Sequence, residues 1–218
     1  MVTSKEEVYS ILKDNNVEYE LLEHDAVYTI DDMKLVEGMK IENVCKNLFL
    51  RDERGKKHFL VVISEEKSAD LKDLREKLGT SRLGFASEER LMKYLGLIKG
   101  AVTPLGVLND KECAVQVIFD KDLAGRESLG VHPCDNTATL FLSFDNLKKI
   151  IEGTGHTIKY LSLSHLQKKR CFSQRERRFY FANQPRFLVS KRHESRHISS
   201  TLLLAFHPSS LSALEASA

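Results

Sequence analysis

Three short segments that lie far apart in the sequence contain residues whose types could perform chemistry. Residues 46–48 (Lys-Asn-Leu) open an apolar run, and residues 100–106 (Gly-Ala-Val-Thr-Pro-Leu-Gly) are bounded by glycines. Residues 130–139 contain Gly-Val-His-Pro followed by Asn-Thr-Ala-Thr. Each segment brings polar groups or permissive backbone to the edge of a predicted strand or turn. Together they predict a cleft that holds a small polar group on main-chain carbonyls and amides, with one lysine nearby.

Lys46 comes directly before an apolar strand pattern. A lysine at the mouth of a buried strand can neutralise a phosphate or polarise a carbonyl. A solvated lysine at a strand end has the same local sequence, and the residue alone favours that simpler reading.

The segment from Gly100 to Gly106 predicts a tight loop. Pro104 restricts Thr103 to an extended conformation, and the glycines allow close backbone approach. Such a loop can present carbonyls to an ammonium group, although an ordinary connection between two elements reads similarly. It is not a P-loop, because the Gly-x4-Gly-Lys-Ser/Thr order is absent.

His132 lies in a long polar stretch, residues 120–139, which predicts a functional loop. The histidine could be a general base or a hydrogen-bond donor, or only a surface or capping residue. Asn136 and Thr137 could bond a ligand or cap the turn.

Covalent and metal chemistry are poorly supported. Cys45 and Cys134 have no recognisable nucleophile signature. The histidines outside the last quarter of the chain show no metal-ligand spacing, and we expect neither a metal nor a cofactor. They are His24, His58, His132 and His156.

The fold class predicted from hydrophobic periodicity is α+β, with one mixed sheet in a single domain over residues 1–161. Helices are predicted after a capping box at Ser4 and over 30–37, 70–78, 87–95 and 144–152. Strands are predicted over 17–24, 47–51, 58–63, 114–119, 140–143 and 157–161, the second and third forming a hairpin with a central strand.

Charge divides the chain in two. Residues 1–161 carry 23 Lys and Arg against 28 Asp and Glu, whereas residues 162–218 carry 10 against 3. The sequence predicts that 162–218 is a poorly ordered basic tail rich in Ser, Arg and His. A frameshifted or alternatively spliced end, or a genuine RNA-contacting tail, would read similarly.

Nothing in the sequence predicts a membrane protein. No run approaches the roughly 20 apolar residues that span a bilayer, and the first residues lack the apolar region of a secretory signal. The four cysteines form no close pair, so a reducing cytoplasm is the expected location.

These motifs, in this order, resemble the YbaK/ProX family of aminoacyl-tRNA deacylases, and within it the free-standing prolyl-tRNA editing branch related to the editing domain of prolyl-tRNA synthetase. The resemblance runs from about residue 4 to residue 161. It rests on segments 46–52, 58–62, 85–89, 100–106 and 132–139.

The resemblance implies a mixed α+β domain that hydrolyses the ester of a mischarged tRNA in trans, without a metal or cofactor. The implied substrate is alanyl-tRNA(Pro), with prolyl-tRNA synthetase as a candidate partner. A synthetase pocket for proline rejects a smaller amino acid by only about 1–3 kcal/mol, so a second, smaller pocket must remove the error.

The resemblance also implies roles for individual residues. Lys46, Gly100 and His132 are the implied catalytic residues, with Lys46 near the terminal adenosine phosphate or the scissile carbonyl. The substrate's own ribose hydroxyl is implied to help activate water. The implied substrate-binding residues are Asn47, Ala101, Val102, Thr103, Pro104, Asn136 and Thr137.

Two features leave alternatives open. His24-Asp25 replaces a His-Pro pair of relatives, which affects the expected shape of the loop there. The same pocket could also serve a non-catalytic module that binds aminoacyl-tRNA or a synthetase, or an editing enzyme for cysteinyl- or seryl-tRNA.

Overall fold

A computed structural model describes residues 2–163. The helices are α1 (Lys5–Asp14), α2 (Ile30–Met33), α3 (Leu71–Leu78), α4 (Glu88–Leu95) and α5 (Phe144–Gly153). The strands are β1 (Glu20–Glu23), β2 (Cys45–Asp52), β3 (His58–Ser64), β4 (Leu83–Phe85), β5 (Val115–Asp120), β6 (Leu129–Val131), β7 (Ala138–Leu142) and β8 (Ile158–Leu161). Short 3-10 helices cover Ile41–Asn43, Pro104–Asn109 and Lys121–Leu123.

The larger sheet is mixed and has five strands in the order β4-β2-β3-β5-β8. Strands β2 and β3 form the predicted antiparallel hairpin, while β5 runs parallel to both β3 and β8. All seven residues of β3 are buried, as expected for a strand covered on both faces. The predicted mixed sheet with a central β3 is therefore confirmed.

The smaller sheet is antiparallel and has three strands in the order β1-β7-β6. It approaches the larger sheet where Val44 forms a parallel bridge with Gly130. A Cβ atom at Gly130 would lie 2.9 Å from a ring carbon of Phe141 and 3.3 Å from Cα of Val44. Gly130 is thus required for the close approach of the two sheets.

Alternation along β2 and β3 divides the core into two faces. Phe49 and Leu60 pair across the hairpin and pack in the larger core cluster. Leu50 and Phe59 pair in the same way but pack in the second cluster, which also contains Leu74 of α3. Because neighbouring strand residues point to opposite faces, each position in β2 has a defined side.

Local signals placed most element ends correctly. Ser4 and Glu7 form the predicted capping box, and Gly79 and Gly96 end α3 and α4 in the left-handed conformation. Three predictions need correction. The helix at 30–37 stops at Met33, the sheet is not single, and the polar stretch 120–139 contains β6 rather than one long loop.

The predicted tail, 162–218, lies outside the described residues except for its first two positions. Among residues 2–163, no helix is long and apolar enough to span a membrane.

Candidate functional site

Asn47 connects β2 to the glycine-bounded loop. Its side-chain Nδ2 donates to the main-chain oxygen of Val102 at 2.9 Å. The other amide atom, Oδ1, is buried and has no hydrogen-bond partner within the described part of the chain. Buried acceptors are normally paired, so this oxygen is available to a donor from a bound molecule.

The loop that receives this hydrogen bond is closely packed. Ala101 and Thr103 are completely buried, and Thr103 Oγ1 accepts from the Leu105 amide at 3.4 Å. Pro104 then occupies the first turn of the 3-10 helix, where its missing N–H costs nothing. The predicted tight loop is therefore present, with its backbone held by caps and burial.

Gly100 begins this loop at φ +92°, and its surroundings leave no room for a side chain. An added Cβ atom would lie 2.8 Å from Cδ1 of Tyr28 and 3.5 Å from Nδ2 of Asn136. Asn136 donates from Nδ2 to the Val27 oxygen at 2.9 Å and accepts from the Val27 amide at 3.1 Å. Asn136 thus holds the 27–28 segment against Gly100.

His132 is nearly buried, and one of its ring nitrogens forms a hydrogen bond within the protein. Nδ1 lies 2.8 Å from the main-chain oxygen of Ala138, so Nδ1 carries the hydrogen and donates it. Burial lowers the pKa of His132, with the nearby His24 adding to the effect. The neutral ring then presents Nε2 as an acceptor, and no residue between 2 and 163 bonds that atom.

His24 lies beside His132, with ring centroids 6.1 Å apart. Its Nδ1 donates to the Asp25 oxygen at 2.8 Å, which leaves Nε2 to accept from the Thr139 hydroxyl at 3.0 Å. The His24-Asp25 pair therefore shapes the wall of the site through a main-chain oxygen.

Lys46 points away from Asn47, because the two residues are neighbours in β2. Its Nζ donates to the main-chain oxygens of Glu65 and Lys67, the latter at 3.1 Å, and lies 3.8 Å from the Glu65 carboxylate. The expected meeting of Lys46 with the Gly100 loop thus requires correction. Lys46 projects from the sheet face opposite to Asn47.

The segment that holds Lys46 is itself fixed by a buried ion pair. Lys67 is 2% exposed, and its ammonium lies 2.6 Å from a carboxylate oxygen of Asp120. Its Nζ also donates to the Leu163 oxygen at 3.3 Å. The ammonium of Lys46 is therefore bound to a well-anchored turn.

Thr137 has a turn-capping geometry. Its amide donates to Asp135 Oδ1 at 2.8 Å, and its hydroxyl donates to the same oxygen. The hydroxyl oxygen also accepts from Lys5 Nζ at 3.3 Å. The capping alternative for Thr137 therefore fits better than ligand contact.

The thiols near these residues are poor nucleophiles. Burial raises the pKa of Cys45 and of Cys134 to about 12, so neither forms a thiolate at neutral pH. Residues 2–163 contain no group of three or more His, Cys, Asp or Glu side chains placed to hold a metal ion.

One residue at the site, Tyr28, is not predicted by the sequence. Tyr28 is 46% exposed although its ring packs on Gly100. No local signal marks Tyr28, because its contact with Gly100 joins residues 72 positions apart in the sequence.

Comparisons with known proteins show the family of the chain. The model of the aminoacyl-tRNA editing domain matches residues 24–150. The chain belongs to the aminoacyl-tRNA editing domain family. The matched range includes the loop at 100–104 and both histidines of the site, His24 and His132.

Similar proteins match about three quarters of the chain. The prolyl-tRNA editing protein ProX of Acetoanaerobium sticklandii is 48% identical over 160 residues, which are 73% of this chain and 98% of that protein. The prolyl-tRNA synthetase associated domain-containing protein 1 of Danio rerio is 32% identical, over 74% of this chain and 88% of its own length.

Among solved structures, a candidate trans-editing enzyme for prolyl-tRNA synthetase superposes with a TM-score of 0.57. It is 20% identical, and the match covers 75% of this chain and 99% of that one. This likeness supports the α+β fold.

Proposed function

We propose that the protein hydrolyses the ester bond of alanyl-tRNA(Pro) in trans and so removes alanine attached by mistake. The name of the ProX relative supports editing of a prolyl-tRNA. The observation that carries the proposal is the Asn47 amide. Its nitrogen fixes Val102, and its buried oxygen beside the loop has no hydrogen-bond partner among residues 2–163.

A ligand with a short, positively charged end would satisfy that oxygen. An unpaired buried acceptor costs about 1–3 kcal/mol, and a donor that reaches it recovers this free energy. The α-ammonium group of an aminoacyl ester is such a donor. In this proposal Asn47 Oδ1 recognises the ammonium while the backbone of Gly100–Pro104 surrounds the aminoacyl group.

His132 would act as the acceptor for the attacking water or for the ribose hydroxyl of the substrate. Its lowered pKa keeps the ring neutral at pH 7, and Nδ1 is already committed to Ala138. Nε2 therefore accepts a proton or orients the water. No side-chain nucleophile is required, because the ribose hydroxyl of the substrate would help to activate the water.

Lys46 would bind a phosphate of the terminal nucleotide and not the scissile carbonyl. Its position on the opposite face of β2 from Asn47 favours contact with the tRNA backbone. A lysine acts on phosphate as a point charge, so Lys46→Arg should retain part of the binding.

Tyr28 would stack against the base of the terminal adenosine. Its half-exposed ring lies directly on Gly100, and proteins commonly bind unpaired RNA bases on aromatic side chains. Stacking there is worth about 1–3 kcal/mol. The aminoacyl end of the tRNA would then enter beside the loop.

The exclusion of proline would follow from the close packing around residues 100–103. Ala101 and Thr103 are fully buried and Gly100 has no room for a methyl group. Such close packing around the loop would admit a small side chain more readily than a ring, as a second sieve requires.

The test is deacylation of alanyl-, seryl- and cysteinyl-tRNA by the full chain, each on the cognate tRNA and on tRNA(Pro). We expect fastest hydrolysis of alanyl-tRNA(Pro), slower hydrolysis by Lys46→Ala, and normal hydrolysis by the control Lys13→Ala on the exposed side of α1. If another aminoacyl-tRNA were hydrolysed faster, that aminoacyl-tRNA would replace alanyl-tRNA(Pro) as the proposed substrate. Background rates with retained tRNA binding would instead favour the non-catalytic binding module.

A further inference from the structure

A second cluster of reactive side chains lies at the other end of β5. Asn47 pairs with Val62, which in turn pairs with Phe119 near the end of β5. Cys113 precedes the first residue of the same strand by two positions. With about 3.3 Å per residue, the two sites lie roughly 20 Å apart along the sheet.

In this cluster a thiol lies next to an imidazole, and the imidazole lies next to a carboxylate. Cys113 Sγ lies 3.7 Å from Nδ1 of His156, and Nε2 of His156 lies 3.1 Å from Oδ2 of Asp110. Asp110 is fixed as a carboxylate acceptor by the amides of Ala114 at 3.1 Å and Val115 at 2.7 Å. The thiol is exposed, whereas His156 and Asp110 are buried.

The hydroxyl of Thr154 contacts both a main-chain oxygen and the imidazole. Thr154 Oγ1 lies 2.6 Å from the Ile151 oxygen and 2.7 Å from Nδ1 of His156. The hydroxyl has one hydrogen, which it donates to Ile151, so its oxygen can accept from a protonated Nδ1. An imidazolium then donates to both Thr154 and Asp110, with every partner satisfied.

The sulfur of Cys113 lies at the surface, within reach of small molecules. Cys113 has φ +50°, a conformation rare for residues other than glycine. Beside it lies an open hollow, lined in part by Gln116, Thr157 and Lys159. Lys159 Nζ lies 3.4 Å from the Gln116 side-chain oxygen, so an ammonium group borders the hollow.

We propose that Cys113 is a site of reversible thiol–disulfide exchange with small anionic disulfides, activated by His156 and Asp110. The Sγ proton passes to Nδ1 of His156, and the sulfur attacks one sulfur of the disulfide. The new S–S bond forms as the old one breaks, and the departing thiolate carries away the electron pair and takes up a proton. The ammonium of Lys159 attracts the carboxylates of the disulfide.

The other thiols provide internal comparisons. Cys45 is buried and Cys134 is partly buried, and burial raises the pKa of both to about 12. Both should stay unmodified in the native protein. Cys171 lies outside the described residues, so the parent for the experiment is the full chain with Cys171→Ser.

The experiment measures the rate of modification by glutathione disulfide at pH 7, followed by intact-protein mass spectrometry and peptide mapping. The reference is an exposed thiol without an adjacent histidine, Ser10→Cys in α1, in a chain that also carries Cys113→Ser and Cys171→Ser. We expect one adduct on Cys113, reversed by dithiothreitol and formed about tenfold faster than on the reference thiol. Equal rates would overturn the proposal.

Two variants test the assigned roles. His156→Gln should slow the reaction about tenfold, with far-UV circular dichroism checking its fold; an unchanged rate in a folded variant would overturn the relay. Lys159→Glu should slow exchange with glutathione disulfide but not with neutral 2-hydroxyethyl disulfide. Equal effects on both would overturn the role of the ammonium. All these rates are measured without tRNA and are independent of the editing activity.

Discussion

The Asn47 side chain donates to the Val102 main-chain oxygen at 2.9 Å, across 55 positions of sequence. This hydrogen bond attaches the loop before the 3-10 helix to the beginning of strand β2. Two residues earlier, Gly100 is covered by Tyr28. The loop is therefore held at adjacent points by two different parts of the fold, which fixes its backbone before any ligand arrives.

Asn47→Ala should reduce deacylation more than it reduces stability. Loss of the amide removes one hydrogen bond, worth about 1 kcal/mol in the free energy of unfolding, and frees the loop. We expect kcat/KM for alanyl-tRNA(Pro) to fall about 100-fold, since small displacements of positioning groups are costly. Single-turnover kinetics and urea unfolding measure the two effects.

The matched control is Asn43→Ala, which removes a side-chain hydrogen bond to Ser128 at 3.2 Å outside the site. It should lose similar stability but keep its activity. Equal losses of activity in both variants would contradict the role assigned to Asn47.

Gly100→Ala should cost both stability and activity. The residue has φ +92°, and the new methyl group would lie 2.8 Å from Tyr28 Cδ1. Gly125→Ala is the control, because Gly125 has φ +75° with nothing within 4 Å. The control pays only the backbone strain of about 1 kcal/mol, so the excess for Gly100→Ala reports the contact with Tyr28. Thermal unfolding and deacylation rates measure it, and equal values in the two variants would refute the contact.

Most elements of the fold were predictable because their signals are local. The capping box at Ser4, the glycines that end α3 and α4, and the β2–β3 hairpin each depend on residues a few positions apart. The second sheet was not predicted, since β1 pairs with β7 more than 100 residues away. Strand β6 has three residues inside a polar stretch, too few for a periodic pattern.

The candidate site was predictable in its parts but not in its arrangement. The three segments taken together indicate the loop at Gly100 and the residues His132 and Asn136 as candidates. Which face of β2 carries Lys46 depends on the register of the hairpin, and a shift of one residue would exchange it with Asn47. Contacts such as Tyr28 on Gly100 arise only after the two sheets come together.

Stability should fall as the pH drops below about 6.5, the ordinary pKa of histidine. Burial lowers the pKa of His132 and of His58, which also lies beside Arg90. Between the lowered pKa and the ordinary one, the unfolded chain binds more protons than the folded chain. Each histidine therefore removes up to about 1.4 kcal/mol of unfolding free energy per pH unit in that window.

Urea unfolding at several pH values measures this slope, and His132→Gln should make it shallower by removing one of the two contributions. The variant should also lose deacylation activity if Nε2 accepts the proton as proposed. A slope unchanged by the substitution would show that His132 is not held neutral by burial.

Two truncations should differ sharply although they end only two residues apart. Leu163 is 5% exposed and packs in the second core cluster. Its amide lies 3.4 Å from Asp120 Oδ1, and its oxygen accepts from the buried Lys67. A chain ending at Leu161 loses these contacts and leaves part of a buried ion pair exposed to water, whereas a chain ending at Leu163 keeps them.

We expect the shorter chain to be less stable by about 2–4 kcal/mol, measured by urea unfolding. Because Lys67 anchors the turn that holds Lys46, the shorter chain should also bind tRNA more weakly; equal stability of the two chains would contradict the anchoring role of Leu163.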